Sequence, residues 1–453
     1  MDIKHIELYS AHKNMKQIDT LIHARWVIPI EPSGVVYENH AVALQSGRIV
    51  DIQPSAQAQR SYQATEIITL EQHALIPGFV NAHTHVAMTL FRGMADDLPL
   101  MDWLNNHIWP AEAKWVSPEF VRAGTELAIA EMLRGGTTCF NDMYFFPDAT
   151  AQAAEAAEMR AVIGMTVIDF PTAYAQNADD YLHRGLKFHD QIKNSTLVTT
   201  AFAPHAPYTV SDAPLEKIRM YADELDRPIH MHIHETAFEV EQGIERNGQR
   251  PLERLARLGL LGPRMLAVHM TQLSDDEIEQ LASLNAHVVH CPESNLKLAS
   301  GFCPVHKLWR AGVNVALGTD GAASNNDLDM LGEMRTAALL AKGTARDATA
   351  LPAHAALRMA TLNGARAIGL DDRIGSIAIG KSADLAAIDL SALASQPVYD
   401  PASQIVYSAT RDQVTDTWVN GKRLLANRRL TTVDETRIAR DAQAWREKIT
   451  NAR

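Results

Sequence analysis

Eight apolar, strand-like runs alternate with amphipathic helical stretches through the middle of this 453-residue sequence, and short β-like segments flank them on both sides. This order predicts an α/β fold, a (β/α)8 TIM-type barrel with a smaller β-sandwich domain built from both chain ends. Most of the eight runs also finish in polar residues, as expected where a barrel carries its active site at the carboxyl ends of its strands. We expect residues 1–76 and 372–453 to form the β domain with a terminal helix, and residues 77–371 to form the barrel.

Two turn signals mark the flanking β segments. In AVALQSGRIVDI the pair Ser46-Gly47 predicts a hairpin, and in DTWVNGKRLL the pair Asn420-Gly421 is a strong signal for a two-residue turn. Because similar segments occur near both chain ends, we expect one compact β domain built from the two. The stretch VDETRIARDAQAWREKI that follows has apolar residues at helical spacing, and it is expected to pack on this domain or on a second subunit.

The first long helix of the predicted barrel has clear boundaries in the segment SPEFVRAGTELAIAEMLRGG. Ser117 is a preferred N-cap residue, and Pro118 occupies the first helical position, where a missing N–H costs nothing. Gly135-Gly136 end the helix, and the apolar residues between these boundaries form a stripe that suits packing against a sheet.

Composition and charge narrow the class of protein. A hydrophobic content of 46% and a charged content of 21% are typical of a globular protein with a sizeable core. The net charge of −12 argues against nucleic acid or an anionic membrane as the main partner, because both attract basic surfaces. The polar N-terminal segment lacks the apolar core of a signal peptide, and no stretch has the roughly 20 apolar residues that cross a bilayer. Cys139, Cys291 and Cys303 lie outside any CxxC pattern, so we expect a reducing, cytoplasmic location.

The stretch PGFVNAHTHV ends the first strand-like run with two histidines one residue apart. Alternate side chains of a strand share a face, so His83 and His85 point to the same side. Any one of the 19 histidines is most simply a hydrogen-bonded core residue, but their combination across several strand ends predicts a metal site. Imidazole and carboxylate groups suit zinc or iron(II). The polar residues at the strand ends are His83, His85, Asn141, Asp142, His205, His232, Glu235, His269, His290 and Asp320.

Five segments carry a resemblance to a known family: PGFVNAHTH, HIHE, AVHM, SNLKL and LGTDGAASNN. They resemble the amidohydrolase superfamily, and within it the methylthioadenosine/S-adenosylhomocysteine deaminase branch, which lies beside the triazine hydrolases. The HxH and TDG motifs are shared by the superfamily, whereas SNLKL (residues 294–298) and GTDGAASNN (residues 318–326) are more specific to this branch. The resemblance extends through nearly the whole chain, including the β domain.

The resemblance implies one divalent metal per subunit, zinc or else iron. The implied ligands are His83, His85, His232 and Asp320. A metal bound in this way lowers the pKa of a water molecule toward about 7. The resemblance also implies that Glu235 and His269 are acid/base residues. Asp320 would bind the metal through one oxygen and take the proton of the water through the other, while His269 would stabilise developing oxyanion charge.

The segment HMHIHE offers three histidines that share one face of a regular strand, His230, His232 and His234. The family pattern has the ligand three residues before the acid, and this pattern identifies His232 with Glu235. His230 is then expected deeper in the barrel as a hydrogen-bonded core residue, and His234 is expected near the rim.

Deamination of an aromatic amine requires attack of water on a ring carbon and a proton for the adjacent ring nitrogen. Glu235 suits that delivery and the later proton transfer to ammonia. Glu112 matches the family position that accepts hydrogen bonds from the ribose 2′- and 3′-hydroxyls, and His205 matches the position that contacts the purine. The segment from Met88 to Trp109 is rich in Met, Leu and Trp and suits an apolar methylthio group. The resemblance therefore implies a purine nucleoside as the substrate.

One position departs from the relatives that accept S-adenosylhomocysteine. Those relatives carry an arginine before the fourth strand that holds the substrate carboxylate. Tyr181 stands at this position here, with Arg184 three residues further on. A bidentate arginine is not easily replaced. We therefore expect methylthioadenosine or adenosine to be preferred over S-adenosylhomocysteine.

Other functions are alternatives. A triazine-type chlorohydrolase, or another aromatic-amine or nucleobase deaminase, would share the metal ligands and differ in the pocket. Binuclear hydrolases of the dihydroorotase type need a bridging lysine at the end of the fourth strand, and AFAPHAPY contains none, so we expect one metal. A non-catalytic scaffold is disfavoured because every expected ligand and acid/base position holds a competent residue. We expect a homo-oligomer, as is common for soluble enzymes.

Overall fold

The computed structural model describes residues 15–451, and residues 1–14 of the N-terminal segment considered above for a signal peptide lie outside this part of the chain. The described chain begins with four strands of the β domain. They are β1 (Lys16–Val27), β2 (Tyr37–Gln45), β3 (Arg48–Pro54) and β4 (Tyr62–Pro77), with the helix Ser55–Ser61 before the last. β2 pairs antiparallel with both β1 and β3, whereas β4 lies parallel to β1.

β4 leads directly into a second sheet of eight strands. These strands are β5 (Phe79–Thr84), β6 (Thr137–Asp142), β7 (Arg160–Val167), β8 (Val198–Pro204), β9 (Ile229–Ile233), β10 (Met265–His269), β11 (His287–His290) and β12 (Asn314–Leu317). Each strand pairs in parallel with the next one along the chain. The two ends of the sheet approach each other, since the backbone N–H of Asp320 donates to the carbonyl oxygen of His83 at 3.0 Å. The predicted barrel of eight parallel strands is confirmed.

Helices connect the barrel strands. The first long one, Pro118–Arg134, has the predicted boundaries, because the Ser117 hydroxyl accepts a hydrogen bond from the backbone N–H of Phe120 at 3.2 Å and Gly135 follows the last helical residue. The helices on the barrel are Trp109–Trp115, Pro118–Arg134, Pro147–Ala157, Ala178–Ile192, Asp212–Leu225, Ala237–Asn247, Pro251–Arg257, Asp275–Ser283, Pro292–Lys297, Val305–Arg310, Met330–Ala345, Ala353–Met359 and Leu362–Ala367. Shorter helical turns cover Val86–Phe91, Leu100–Asp102 and Trp103–Ile108.

The chain then returns to the β domain through four further strands. They are β13 (Leu385–Asp389), β14 (Val414–Val419), β15 (Lys422–Ala426) and β16 (Arg429–Leu430), with the helix Pro401–Tyr407 between the first two. β13 pairs antiparallel with β4, so strands from both chain ends form one eight-stranded mixed sheet. The two predicted hairpin turns pack on each other, since a Cβ at Gly421 would lie 2.7 Å from the Cα of Gly47. The prediction of a β domain built from both chain ends is confirmed.

The terminal helix Glu435–Asn451 packs on the barrel. The ring of Trp445 meets the ring of Phe120 edge to face, with 5.3 Å between centroids, and Nη2 of Arg437 lies 2.7 Å from Oε2 of Glu126. Phe120 and Glu126 both belong to the first long barrel helix. The expectation that this helix packs on the β domain was wrong. An apolar stripe shows which face of a helix is buried, but it does not specify the surface against which that face packs.

Within residues 15–451, no helix has both the length and the apolar character that crossing a membrane requires. All three cysteines are buried and form no disulfide.

Candidate active site

A cavity of about 490 Å³ opens at the carboxyl ends of the barrel strands, where a barrel of this kind carries its active site. Much of its wall is apolar and comes from the segment between Met88 and Val116, including Leu100, Trp103 and Ile108. The structure thus places the Met-, Leu- and Trp-rich segment against the cavity. The polar residues of the floor are His85, His205, His232, Glu235, His269 and Asp320.

The four expected metal ligands come together at this floor. Ligand atoms of His83, His85 and His232 lie within 4.8 Å of one another, and the same holds for His83, His269 and Asp320. Nε2 of His83 and Nε2 of His85 each lie 3.3 Å from Oδ1 of Asp320. Residues of β5 and β9 and of the loop after β12 therefore meet at one point.

Two of the candidate ligands have their Nδ1 atoms hydrogen-bonded away from the cluster. Nδ1 of His85 donates to the carbonyl oxygen of Met143 at 2.5 Å, and Nδ1 of His232 donates to the carbonyl oxygen of His205 at 2.7 Å. A carbonyl oxygen only accepts, so each ring carries its proton on Nδ1 and directs the lone pair of Nε2 toward the cluster. A histidine ligand needs this tautomer and this kind of support.

His83 has a second imidazole as its partner. Its Nδ1 lies 2.7 Å from Nε2 of His230, which is fully buried, as expected for a hydrogen-bonded core residue. Nε2 of His83 is a buried atom without a hydrogen-bond partner among the described residues. Such an atom is costly unless a cation or a donor occupies the space that it faces. With Asp320 beside it, this set of donor atoms fits a divalent metal such as zinc or iron(II).

The two oxygens of Asp320 have different surroundings. Oδ1 accepts a hydrogen bond from the backbone N–H of Gly321 at 2.7 Å and faces the histidines. Oδ2 accepts from the hydroxyls of Ser294 at 2.6 Å and Ser324 at 2.8 Å. Burial alone would raise the pKa of this carboxyl, but the neighbouring imidazoles outweigh burial and hold the pKa well below its usual range. A buried, ionised carboxylate requires positive charge beside it, and a bound metal would supply that charge.

Close backbone packing brings Asp320 to the cluster. A Cβ at Gly318 would lie 2.8 Å from the backbone N and O of His83, so only glycine lets the end of β12 approach β5 this closely. His269 and Asp320 both have left-handed backbone, with φ of 75° and 61°. Residues other than glycine rarely adopt this conformation, and such strain is concentrated at functional sites.

Glu235 and His269, the expected acid/base residues, face each other on the cavity floor, with 3.8 Å between Oε2 and Nε2. Nδ1 of His269 donates to Oδ1 of Asn295 at 2.9 Å, which leaves Nε2 as the acceptor. Burial raises the pKa of Glu235. The backbone N–H of Glu235 donates to the buried carboxylate of Glu239 at 2.8 Å, and this bond holds the start of the loop after β9 in place.

His234 turns away from the cavity. It follows the end of β9 with left-handed backbone (φ 53°), it is fully buried, and its Nε2 accepts a hydrogen bond from the backbone N–H of Leu252 at 3.2 Å. The sequence pattern put its side chain on the same face as His232, but the strand ends one residue earlier and the alternation of faces ends with it. His290, at the end of β11, is also buried and does not line the cavity.

The two residues expected to contact the substrate, Glu112 and His205, both line the cavity. Glu112 belongs to the helix Trp109–Trp115, and burial raises its pKa to about 7. The Tyr144 hydroxyl donates to its Oε1 at 2.7 Å. His205 follows β8, and burial lowers its pKa to about 3, so its ring is neutral at physiological pH.

Tyr181 and Arg184 lie outside the cavity lining. Tyr181 is buried, with its hydroxyl 2.5 Å from Oγ1 of Thr172. Arg184 is exposed, pairs with Asp180 at 2.9 Å and lies over the ring of Tyr174. Among the described residues that line the cavity, none is a lysine or an arginine.

Sequence reasoning missed several residues that support the candidate site. Ser294 and Ser324 lie within SNLKL and GTDGAASNN, so the branch specificity of these segments was the available signal for them. No sequence signal indicated Tyr144, because its partner Glu112 lies 32 residues earlier and a complete helix separates the two. Contacts of this kind depend on how the barrel brings its loops together.

Comparison with known proteins adds the family. The family model described as "Amidohydrolase family" matches residues 74–424. A curated relative from Teredinibacter turnerae is 52% identical over 436 residues, which are 96% of this chain and 99% of the relative. The chain belongs to the amidohydrolase family. The present protein is therefore a hydrolase, as the resemblance implied. The relative just described and one from Saccharophagus degradans, 51% identical over 96% of this chain and 98% of its own, are both named 5-methylthioadenosine/S-adenosylhomocysteine deaminase.

Two solved structures share the fold of this chain. A zinc-bound adenosine deaminase from Xanthomonas campestris superposes with a TM-score of 0.96 at 56% identity, over 96% of this chain and 100% of that one. A zinc complex of atrazine chlorohydrolase from Arthrobacter aurescens gives a TM-score of 0.88 at 23% identity, over 94% and 99% of the two chains. The first supports a divalent metal in the present amidohydrolase, and the second shows the shared fold alone.

Proposed function

We propose that this amidohydrolase is a metal-dependent hydrolytic deaminase of adenosine derivatives, with 5′-methylthioadenosine or adenosine as its preferred substrate and zinc as its metal. The proposal rests on one observation, the meeting of four candidate ligands at a cavity whose wall also contains the half-buried carboxylate of Glu112. The proposed ligands are His83, His85, His232 and Asp320. The similarity to the zinc-bound adenosine deaminase from Xanthomonas campestris supports the same reaction. Iron(II) suits the same donor atoms.

The supporting contacts keep the proposed ligands ready for the metal. A divalent metal held by them would supply a Lewis acid that lowers the pKa of a water molecule. The carbonyl oxygens of Met143 and His205 fix two imidazoles in the required tautomer, and Ser294 and Ser324 fix the carboxylate of Asp320. Because these partners are in place before any substrate binds, the site needs little reorganisation.

Glu235 is the group that we propose for proton transfer at the reacting ring. Burial raises its pKa, so its carboxyl keeps a proton at higher pH than an exposed glutamate does. We assign it to protonate the ring nitrogen beside the amino-bearing carbon, which makes that carbon more electrophilic, and later to transfer a proton to the departing ammonia. His269 offers Nε2 to accept a hydrogen bond, and then a proton, from the attacking water; the protonated imidazole can then donate to the oxygen on which charge develops.

Glu112 and His205 are the proposed nucleoside contacts. A carboxylate has room for two donors, and the ribose of a nucleoside presents two neighbouring hydroxyls. His205 is neutral and lines the same cavity, so its ring is suited to the uncharged purine. The apolar wall formed by residues such as Leu100 and Trp103 suits the methylthio group of 5′-methylthioadenosine.

The cavity favours substrates without a charged tail. Its described lining has no lysine or arginine, and Tyr181 and Arg184 both lie outside it. The carboxylate of S-adenosylhomocysteine would therefore enter an apolar region without a cation to pair with, which is costly. We expect kcat/KM for 5′-methylthioadenosine and adenosine to exceed that for S-adenosylhomocysteine. A clear preference for S-adenosylhomocysteine would contradict this part of the proposal.

The deciding experiment is an absorbance assay on metal-replete and chelator-treated enzyme. The panel contains adenosine, 5′-methylthioadenosine, S-adenosylhomocysteine, guanine and a chlorotriazine. We expect the metal-replete enzyme to convert the adenine chromophore to a hypoxanthine chromophore. The chelator-treated enzyme, from which the metal has been removed, should lose this activity. Elemental measurement should give one metal equivalent per chain. Dechlorination of the triazine without deamination of any adenosine would instead favour the triazine hydrolase alternative. Equal activity with and without metal, or two metal equivalents per chain, would contradict the proposed site.

A further inference from the structure

We infer that Tyr144 is a specificity-determining positioning residue, which orients the carboxylate of Glu112 toward the ribose hydroxyls and so gives the enzyme its preference for ribonucleosides. The inference rests on the proposed function, because it assumes that a nucleoside occupies the cavity. Its basis is the 2.7 Å hydrogen bond from the Tyr144 hydroxyl to Oε1 of Glu112, between two residues that both line the cavity.

The two partners belong to different parts of the enzyme. Tyr144 follows strand β6 and is almost fully buried, with 5% of its surface exposed. Its carbonyl oxygen accepts a hydrogen bond from the Thr166 hydroxyl on β7 at 3.0 Å, and its ring packs beside Phe145, with 5.3 Å between centroids. Glu112 instead lies on the helix Trp109–Trp115, in the segment that forms the apolar wall. The bond therefore joins the cavity wall to the barrel.

The bond also decides which part of the carboxylate is available. Among residues 15–451, the Tyr144 hydroxyl is the side-chain donor that reaches Glu112. It occupies one acceptor position on Oε1, which leaves Oε2 and the second lone pair of Oε1 for a pair of neighbouring hydroxyls. Without the tyrosine hydroxyl, the glutamate side chain would have to be ordered by the substrate itself, and each binding event would bear that cost in rotamer entropy.

A site built to pair with a substrate hydroxyl discriminates strongly against an analogue that lacks it, because the buried polar group is then left without a partner. Glu112 is a polar group of this kind, because its carboxylate is half-buried in a largely apolar wall. Tyr144 should thus contribute to the binding of ribonucleosides and contribute little to the binding of nucleosides without ribose hydroxyls. The chemical step at the purine ring should not depend on it.

The experiment compares Tyr144→Phe with the unchanged enzyme on adenosine and on 2′,3′-dideoxyadenosine. We expect KM for adenosine to rise about tenfold, as is typical for the loss of one hydrogen bond to a charged group, with kcat within about twofold. KM for dideoxyadenosine should change little, so the preference for adenosine falls by about the same tenfold. An unchanged preference in Tyr144→Phe, or an equal loss on both substrates, would overturn the inference.

A matched control is Tyr62→Phe. Tyr62 is also buried and also donates to a carboxylate at 2.7 Å, in this case Oδ2 of Asp51 in the β domain. This variant removes the same kind of bond away from the cavity and should leave the substrate preference unchanged. A fall in preference equal to that of Tyr144→Phe would indicate a general loss of stability and would count against the inference.

The variant Glu112→Gln tests the same link from the other residue and keeps the inference testable if Tyr144→Phe does not fold. We expect Glu112→Gln to lose the preference for adenosine, and Tyr144→Phe to have no further effect in that background. Additive losses in the double variant would show that Tyr144 acts independently of Glu112, against the inference. Failure of the proposed function is distinguishable, because the unchanged enzyme would then deaminate neither nucleoside.

Discussion

The Ser294 hydroxyl donates a 2.6 Å hydrogen bond to Oδ2 of Asp320, and the Ser324 hydroxyl donates to the same oxygen at 2.8 Å. Ser294 lies in the helix after β11, whereas Ser324 lies in the loop after β12. Two neighbouring strands thus supply one donor each to a single carboxylate oxygen. This arrangement leaves Oδ1 to face Nε2 of His83 and of His85, each at 3.3 Å.

The first prediction concerns metal retention. Ser294→Ala and Ser324→Ala should each weaken metal binding, by about 10- to 100-fold, since outer partners of ligands usually have effects of this size. Competition with a chromophoric chelator measures the affinity directly, and the spectrum of the cobalt-substituted enzyme reports any change in ligand geometry. Ser283→Ala is the control, because Ser283 is exposed and donates only to the carbonyl oxygen of Gln280. Metal affinity unchanged in both site variants would contradict a positioning role for the serines.

The second prediction concerns pH. Burial raises the pKa of Glu112 to about 7, and the hydrogen bond from Tyr144 partly opposes this rise. The ionised carboxylate accepts hydrogen bonds from hydroxyls better than the neutral form does. The ratio of KM for adenosine to KM for 2′,3′-dideoxyadenosine should therefore fall as pH rises through about 7. In Tyr144→Phe the opposing bond is lost, so the inflection should move to higher pH. Titration of Glu112 is nearly complete over roughly two pH units on either side of its pKa, that is, between about pH 5 and pH 9. A KM ratio that does not change over this range would contradict the role of Glu112.

Several elements could be predicted from the sequence because their signals are local. Ser117 and Gly135 bound a helix through contacts within that helix, and Asn420-Gly421 forms a turn through its own backbone conformation. The HxH motif placed His83 and His85 on one face because a strand alternates. The periodicity of apolar residues and the preference of particular residues for turns and helix caps both act over a few residues. They therefore do not depend on the tertiary structure around them.

The supporting contacts could not be predicted, for a physical reason. Ser294 reaches Asp320, and Tyr144 reaches Glu112, only because the barrel brings separate loops to one edge. The terminal helix shows the same limit, since its apolar stripe fits more than one surface. His234 shows another limit, because the point where β9 ends depends on its neighbours rather than on its own sequence.

The third prediction concerns Arg184. It is exposed, pairs with Asp180 at 2.9 Å and does not line the cavity. Arg184→Ala should therefore leave kcat/KM for S-adenosylhomocysteine unchanged within about twofold, since exposed pairs contribute little energy. Steady-state kinetics with S-adenosylhomocysteine and with adenosine in parallel make the measurement. A selective loss with S-adenosylhomocysteine would show that Arg184 reaches the substrate carboxylate after a movement of the helix that carries it.

The fourth prediction concerns the joint between the barrel and the β domain. Arg160 at the start of β7 donates from Nε to Oδ2 of Asp384 at 2.7 Å and from Nη2 to Oδ1 at 3.0 Å. Both side chains are only 1% exposed. Removing one partner of a buried pair leaves an uncompensated charge, so Asp384→Ala should lower the free energy of unfolding by about 3–5 kcal/mol.

Urea unfolding followed by circular dichroism checks this value. Arg160→Met combined with Asp384→Leu should recover part of the loss, because no charge is then left buried alone. Arg264→Ala removes an exposed arginine paired with Asp226 and should shift the unfolding midpoint far less, since solvent and salt screen such pairs. The folded fraction of Asp384→Ala should keep its kcat, because Arg160 lies at the end of β7 away from the cavity. If Asp384→Ala and Arg264→Ala unfold at the same urea concentration, the buried pair does not stabilise the joint between the two domains.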